Sequence, residues 1–112
     1  MNILLVAVLI AVLDIPWLVG NMSTFQTIFS KIQGGRPMEF RLLSGAPVYL
    51  ALAYILSKAT SVQESFLLGA ATYSVYDFTM LATFKDYPYW IAIADALWGG
   101  VLLSGAWMVL RL

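Results

Sequence analysis

The chain has 112 residues, of which 62% are hydrophobic and 11% charged, whereas an ordinary soluble domain carries about a quarter charged residues. A fold of this size leaves about a third of its chain surface in water, so a soluble globule would expose large apolar patches, and that class is strongly disfavoured. Six basic and six acidic residues balance, with no His and no Cys; this removes a basic field for nucleic acid, disulfides, thiolate nucleophiles and Cys/His metal sites.

An all-α integral membrane protein is expected, a single domain over residues 1–112 with four transmembrane helices and a short interfacial amphipathic helix between the first and second. The first predicted span covers residues 3–20. It lacks a basic leader and a small-x-small cleavage site, and Asp14-Ile15-Pro16-Trp17 interrupts it, so it reads as a retained helix rather than a signal peptide. Pro16 has no N–H, which frees the carbonyl of Val12 just before Asp14. Asn21-Met22-Ser23 matches the glycosylation triplet at the membrane edge and is read as chance.

Ser23-Thr24-Phe25-Gln26 has the form of a capping box. Phe25, Ile28, Phe29 and Ile32 follow at helical spacing, and Gly34-Gly35 supplies a stop, giving an amphipathic helix over 23–33. Two roles stay open for it, a lid or lipid sensor and a simple anchor for a long connection. The second span, 42–57, is short and contains Pro47; the third covers 66–84 and the fourth 89–110. Lys31, Arg36, Arg41 and Lys85 flank one side of this arrangement, Lys58 and Arg111 the other. That bias puts both termini on the non-cytoplasmic side of a plasma or inner membrane, or of a viral or host membrane.

Three acids fall inside the spans: Asp14, Asp77 and Asp95. A mid-helix Asp costs about 2.5–3.5 kcal/mol, so such residues face a bundle interior and find partners. Asp14 is six residues before Gly20, Asp77 eight before Lys85 and Asp95 eight after Tyr87. At 1.5 Å per residue all three lie about 9–12 Å below the same surface. Together they would form one cluster in which at least one acid is protonated or a cation neutralises the charge. Arg36 and Arg41 are the candidate counter-charges.

Asp14-x-x-Trp17 and Asp95-x-x-Trp98 repeat one spacing, which places acid and indole on one helix face. Trp98 is deep enough for its N–H to steady a carboxylate, while Trp17 and Trp90 fit interface anchors. Tyr73 and Ser74 share the face of Asp77, with Tyr76 and Thr79 flanking. Ala92, Ala96, Gly100 and Ser104 form a small-residue ridge on the fourth span, Ala70 and Ser74 a shorter one on the third; both are expected to serve packing within the chain.

The run Tyr76-Asp77-Phe78-Thr79-Met80-Leu81-Ala82, then Tyr87-Pro88 and Asp95-x-x-Trp98-Gly99, resembles the signature of the small membrane proteins catalogued as domain of unknown function 2177, found in bacteria and some large DNA viruses. That pattern runs Tyr-Asp-x-Thr-Asn-x-Ala, a Trp-Pro-like turn, then Asp-x-x-Trp-Gly; Asp14-x-x-Trp17 resembles the first span of the family. The resemblance implies that Tyr76, Asp77, Thr79, Ala82, Asp95, Trp98 and Gly99 are signature positions. The chain departs from it at Met80, where the family has Asn, so a thioether replaces an amide one turn from Asp77. The resemblance implies a fold and a site but no chemistry.

Three functions remain open. The first is a site that binds or passes protons or cations, with Asp14, Asp77 and Asp95 as primary groups, Tyr73, Tyr76 and Thr79 as secondary ligands and Trp98 in support. The second is a structural or assembly subunit of a larger membrane complex, the third a lipid-binding protein or intramembrane enzyme. No nucleophile, metal-ligand pair or phosphate loop accompanies the acids, so no reaction class, metal or cofactor is called for. Expected partners are the lipid bilayer and a second copy or a larger membrane protein, with no nucleic acid.

Overall fold

A computed structural model describes residues 2–35 and 42–111. Among these residues it contains five helices: α1 (Ile3–Gly20), α2 (Met22–Ile32), α3 (Leu42–Ser57), α4 (Val62–Thr83) and α5 (Tyr89–Arg111). Arg36 and Arg41, the expected counter-charges, lie outside the described residues.

Asn2 caps α1 by accepting the Leu5 N–H at 3.2 Å. A single residue, Asn21, separates α1 from α2; its side-chain amide donates to the Trp17 carbonyl at 2.9 Å, and its own carbonyl accepts from the Phe25 N–H. The expected capping box at Ser23 does not form, because the helix already begins at Met22 with Asn21 as its N-cap. Ser23 thus lies within the first turn, where its carbonyl accepts from the Thr27 hydroxyl. At the other end of α2 the Gly35 N–H bonds Ser30 O and the Gly34 N–H bonds Lys31 O. This Schellman closure needs the left-handed backbone that Gly34 adopts at φ 68°.

α4 starts four residues before the expected Phe66. A cap decides this: the Ser61 hydroxyl accepts the Glu64 N–H at 3.1 Å, and Thr60 donates to the Glu64 carboxylate at 3.1 Å. Ser61-Val62-Gln63-Glu64 carries the S-x-x-E cap signature, and its polar first turn hides it from a hydropathy reading. α1 and α5 are long and apolar enough to cross a membrane; in α3 the apolar stretch Gly45–Ser57 is shorter.

The most extensive contact joins α4 to α5, and α1 packs against α3 and α5. Gly69 on α4 meets the backbone of Gly99 on α5 so closely that a Cβ at Gly69 would collide with the Gly99 carbonyl. Ala92, Ala96 and Gly100 of the expected α5 ridge are buried, as are Ser65, Gly69 and Asp77 on α4. The buried row on α4 therefore runs one position away from the expected Ala70 and Ser74, since the Gly69–Gly99 approach sets the rotation of the helix.

One apolar cluster fills the end where the first turns of α1 and the last turns of α5 meet. Val6 and Ile10 pack there with Leu52 and Leu56 of α3 and with Leu102 and Leu103 of α5. A second cluster at the opposite end joins Ile28 of α2 to Tyr87, Ile91 and Ala92. A polar layer lies between the two.

Candidate functional site

Asp14, Asp77 and Asp95 are all buried, at 5%, 0% and 8% exposure. Each lies on a different helix, and each finds a neutral donor from another element. The Trp98 indole of α5 donates to Asp14 Oδ1 at 2.7 Å, and the Trp17 indole of α1 donates to Asp95 Oδ1 at 3.0 Å. The repeated Asp-x-x-Trp spacing is thus used in exchange: each helix supplies the donor for the acid of the other. The two indoles stack with centroids 5.3 Å apart and planes at 7°. Trp17 is therefore part of the hydrogen-bonded layer, whereas Trp90 is 56% exposed.

Two tyrosines complete the layer. Tyr49 of α3 donates to Asp14 Oδ2 at 2.6 Å, and Tyr87, in the link between α4 and α5, donates to Asp77 Oδ1 at 2.5 Å. Burial first, and then the bond to Asp77, holds the Tyr87 phenol far above the ordinary tyrosine range, so it stays a neutral donor. The Asp77 and Asp95 carboxyls, carried by the closely packed α4 and α5, interact electrostatically with each other. Asp77 Oδ2 has no donor, and it is the sole buried side-chain polar atom in that state among the described residues.

A cavity of about 510 Å³ lies beside this layer. Asp14 and Asp95 line it together with Tyr73 and Tyr76 of α4, Phe25 and Phe29 of α2, and Tyr87. Val48 and Leu52 of α3 supply apolar wall. The apolar stripe of α2 is turned onto the protein, with Ile28 buried against Tyr87, Ile91 and Ala92 and the Phe29 ring edge-on to Tyr87 at 6.2 Å. Met80 packs against the same cluster, so the thioether at the departure from the family pattern meets apolar side chains.

Of the residues expected at the site, Asp14, Asp77, Asp95 and Trp98 share one hydrogen-bonded layer, and Tyr73 and Tyr76 join its cavity. Thr79 stays apart: it is exposed, and its carbonyl accepts from the Thr83 hydroxyl. Trp17, Tyr49 and Tyr87 are the donors that sequence reasoning missed. Tyr49 lies two residues after Pro47 and Tyr87 just before Pro88; an aromatic hydroxyl near the depth of the acids was the available signal.

No curated protein and no solved structure matches the chain. A family described as predicted membrane protein (DUF2177) matches residues 1–110. With its paired Asp-x-x-Trp elements and its apolar helices, the chain belongs to the DUF2177 family of predicted membrane proteins.

Proposed function

We propose that the protein handles protons within the membrane, with Asp77 and Asp95 holding one proton between them and Asp14 standing beside them. The observation that carries this reading is Asp77 Oδ2, wholly buried and without a donor next to the Asp95 carboxyl. Two interacting carboxylates repel strongly in a low dielectric, and one proton between them relieves the repulsion. A small metal cation fits less well. Trp17, Trp98 and Tyr49 already direct donors at the carboxylate oxygens, which opposes the six or more oxygen ligands that a hard cation gathers.

The same reading uses four spans, α1, α3, α4 and α5, in one domain with α2 along the surface. Support comes from the 22 residues of α4, about 33 Å of helix at 1.5 Å per residue. Exposed Leu67, Val75 and Phe78 on α4, and Val8, Val12 and Ile15 on α1, also suit a lipid-facing surface. The bundle is 44 Å long, comparable with a bilayer of about 40–45 Å including headgroups.

Infrared spectroscopy of the purified protein tests the shared proton. The wild type should show the C=O stretch of a protonated carboxylic acid at neutral pH, with the downshift in D2O that marks an exchangeable proton. Asp77→Asn should lose that band while keeping its helical content, because an amide can donate to Asp95 and accept from Tyr87. Absence of the band from the wild type at neutral pH would overturn the reading.

A further inference from the structure

We propose that the cavity beneath α2 binds a lipophilic organic monocation, a quaternary ammonium or phosphonium bearing aromatic or short alkyl groups, in exchange for the proton shared by Asp77 and Asp95. The inference rests on the proton reading above for its exchange step and on the cavity for its ligand. At about 510 Å³ the space falls within the roughly 300–1,000 Å³ of pockets that enclose small organic ligands.

The wall has two parts, aromatic and acidic. Phe25, Phe29, Tyr73, Tyr76 and Tyr87 supply rings from α2, α4 and the α4–α5 link. Rings attract cations through their quadrupole, most strongly where water is excluded. Asp14 and Asp95 supply the acidic groups, and among the described residues no lysine or arginine lines the cavity. The donors to Asp14 are an indole N–H and a phenol O–H, neither of which carries a positive charge. An organic cation needs no direct coordination, so occupied carboxylate oxygens do not obstruct it as they obstruct a metal ion.

Exchange follows from the position of Asp95, which lines the cavity and interacts electrostatically with Asp77. A monocation beside Asp95 favours its ionised form, and the proton of the pair leaves to solvent. One positive charge enters and one departs, so the charge of the buried layer is unchanged.

Equilibrium dialysis of the full chain in neutral detergent tests this with tetraphenylphosphonium and its neutral analogue of similar shape, triphenylphosphine oxide. The phosphonium should bind about tenfold more tightly, the scale of a desolvated cation–π contact. A pH dye in weak buffer should record release of about one proton per cation. Asp14→Asn should lose about tenfold in phosphonium affinity, and Phe29→Leu, which preserves bulk, should lose several-fold. Equal binding of the two probes by the wild type overturns the cation site, and if the infrared band persists it does so without touching the proton reading. Selective phosphonium binding without proton release overturns the exchange, and the infrared band alone decides the shared proton.

Discussion

At the end of the bundle that holds the termini of α1 and α5, Val6, Ile10, Leu52, Leu56, Leu102 and Leu103 meet through apolar packing alone. In the middle layer the same helices meet through directed bonds, Trp17 to Asp95, Trp98 to Asp14 and Tyr49 to Asp14. Lipid tails are as apolar as leucine, so apolar packing between membrane helices is held by close fit and discriminates weakly among rotations and heights. A hydrogen bond with an indole at a fixed angle discriminates strongly. The apolar end contributes contact, and the polar layer sets the register of α1 against α5. Its geometry fits that task, because each helix contributes one acid and one indole to the same interface.

Variants at each end separate these contributions. The largest effect on stability is expected from Leu103→Ala in the apolar end. In lipid the transfer contribution largely falls away and the cavity remains, so a loss of about 2–3 kcal/mol is expected. Unfolding in mixed micelles should record that loss, and the protonated-carboxyl band should be unchanged; a band that moved or vanished would show that the two regions are not separable.

Tyr87→Phe is expected to cost about 1–2 kcal/mol, because Asp77 loses the Tyr87 hydrogen bond while the ring stays packed. This loss has a pH dependence whose sign follows from the raised phenol. Tyr87 has a folded pKa above its unfolded value of about 10, so its contribution is complete below about pH 10 and is lost as pH rises further. The gap between wild type and Tyr87→Phe should therefore narrow above about pH 10; a gap that widened there would contradict the assignment. Trp98→Phe should have the smallest effect, about 1 kcal/mol, since Asp14 keeps Tyr49 as a donor. A double-mutant cycle with Trp17→Phe should show coupling of about 0.5 kcal/mol or more through the stacked indoles. Strict additivity would remove the argument that the pair acts as one unit.

Helix limits were largely readable from apolar runs and punctuation. The expected 3–20 and 42–57 coincide with α1 and α3, and Gly34-Gly35 stops α2 as read. The start of α4 was misplaced because hydropathy is blind to a polar first turn, although Ser61 and Glu64 carry the cap in plain view. The common depth of the acids followed from counting along helices of constant rise. Their donors did not, since the bonds from Trp17, Trp98 and Tyr49 span 78, 84 and 35 residues of sequence.

Rotation of one helix about its axis against another is set by the closest backbone approach. That approach is between Gly69 and Gly99 in the α4–α5 hairpin, and no periodicity along either helix encodes it. Composition pointed to a membrane protein, and the positions of Asp14, Asp77 and Asp95 within apolar runs marked them as costly, because charge in hydrocarbon is penalised wherever it stands in the chain. Which acid meets which indole, where the cavity lies and that α2 covers it were left to the folded chain. Those outcomes depend on which faces of neighbouring helices meet, a property of the helices together that no single helix carries.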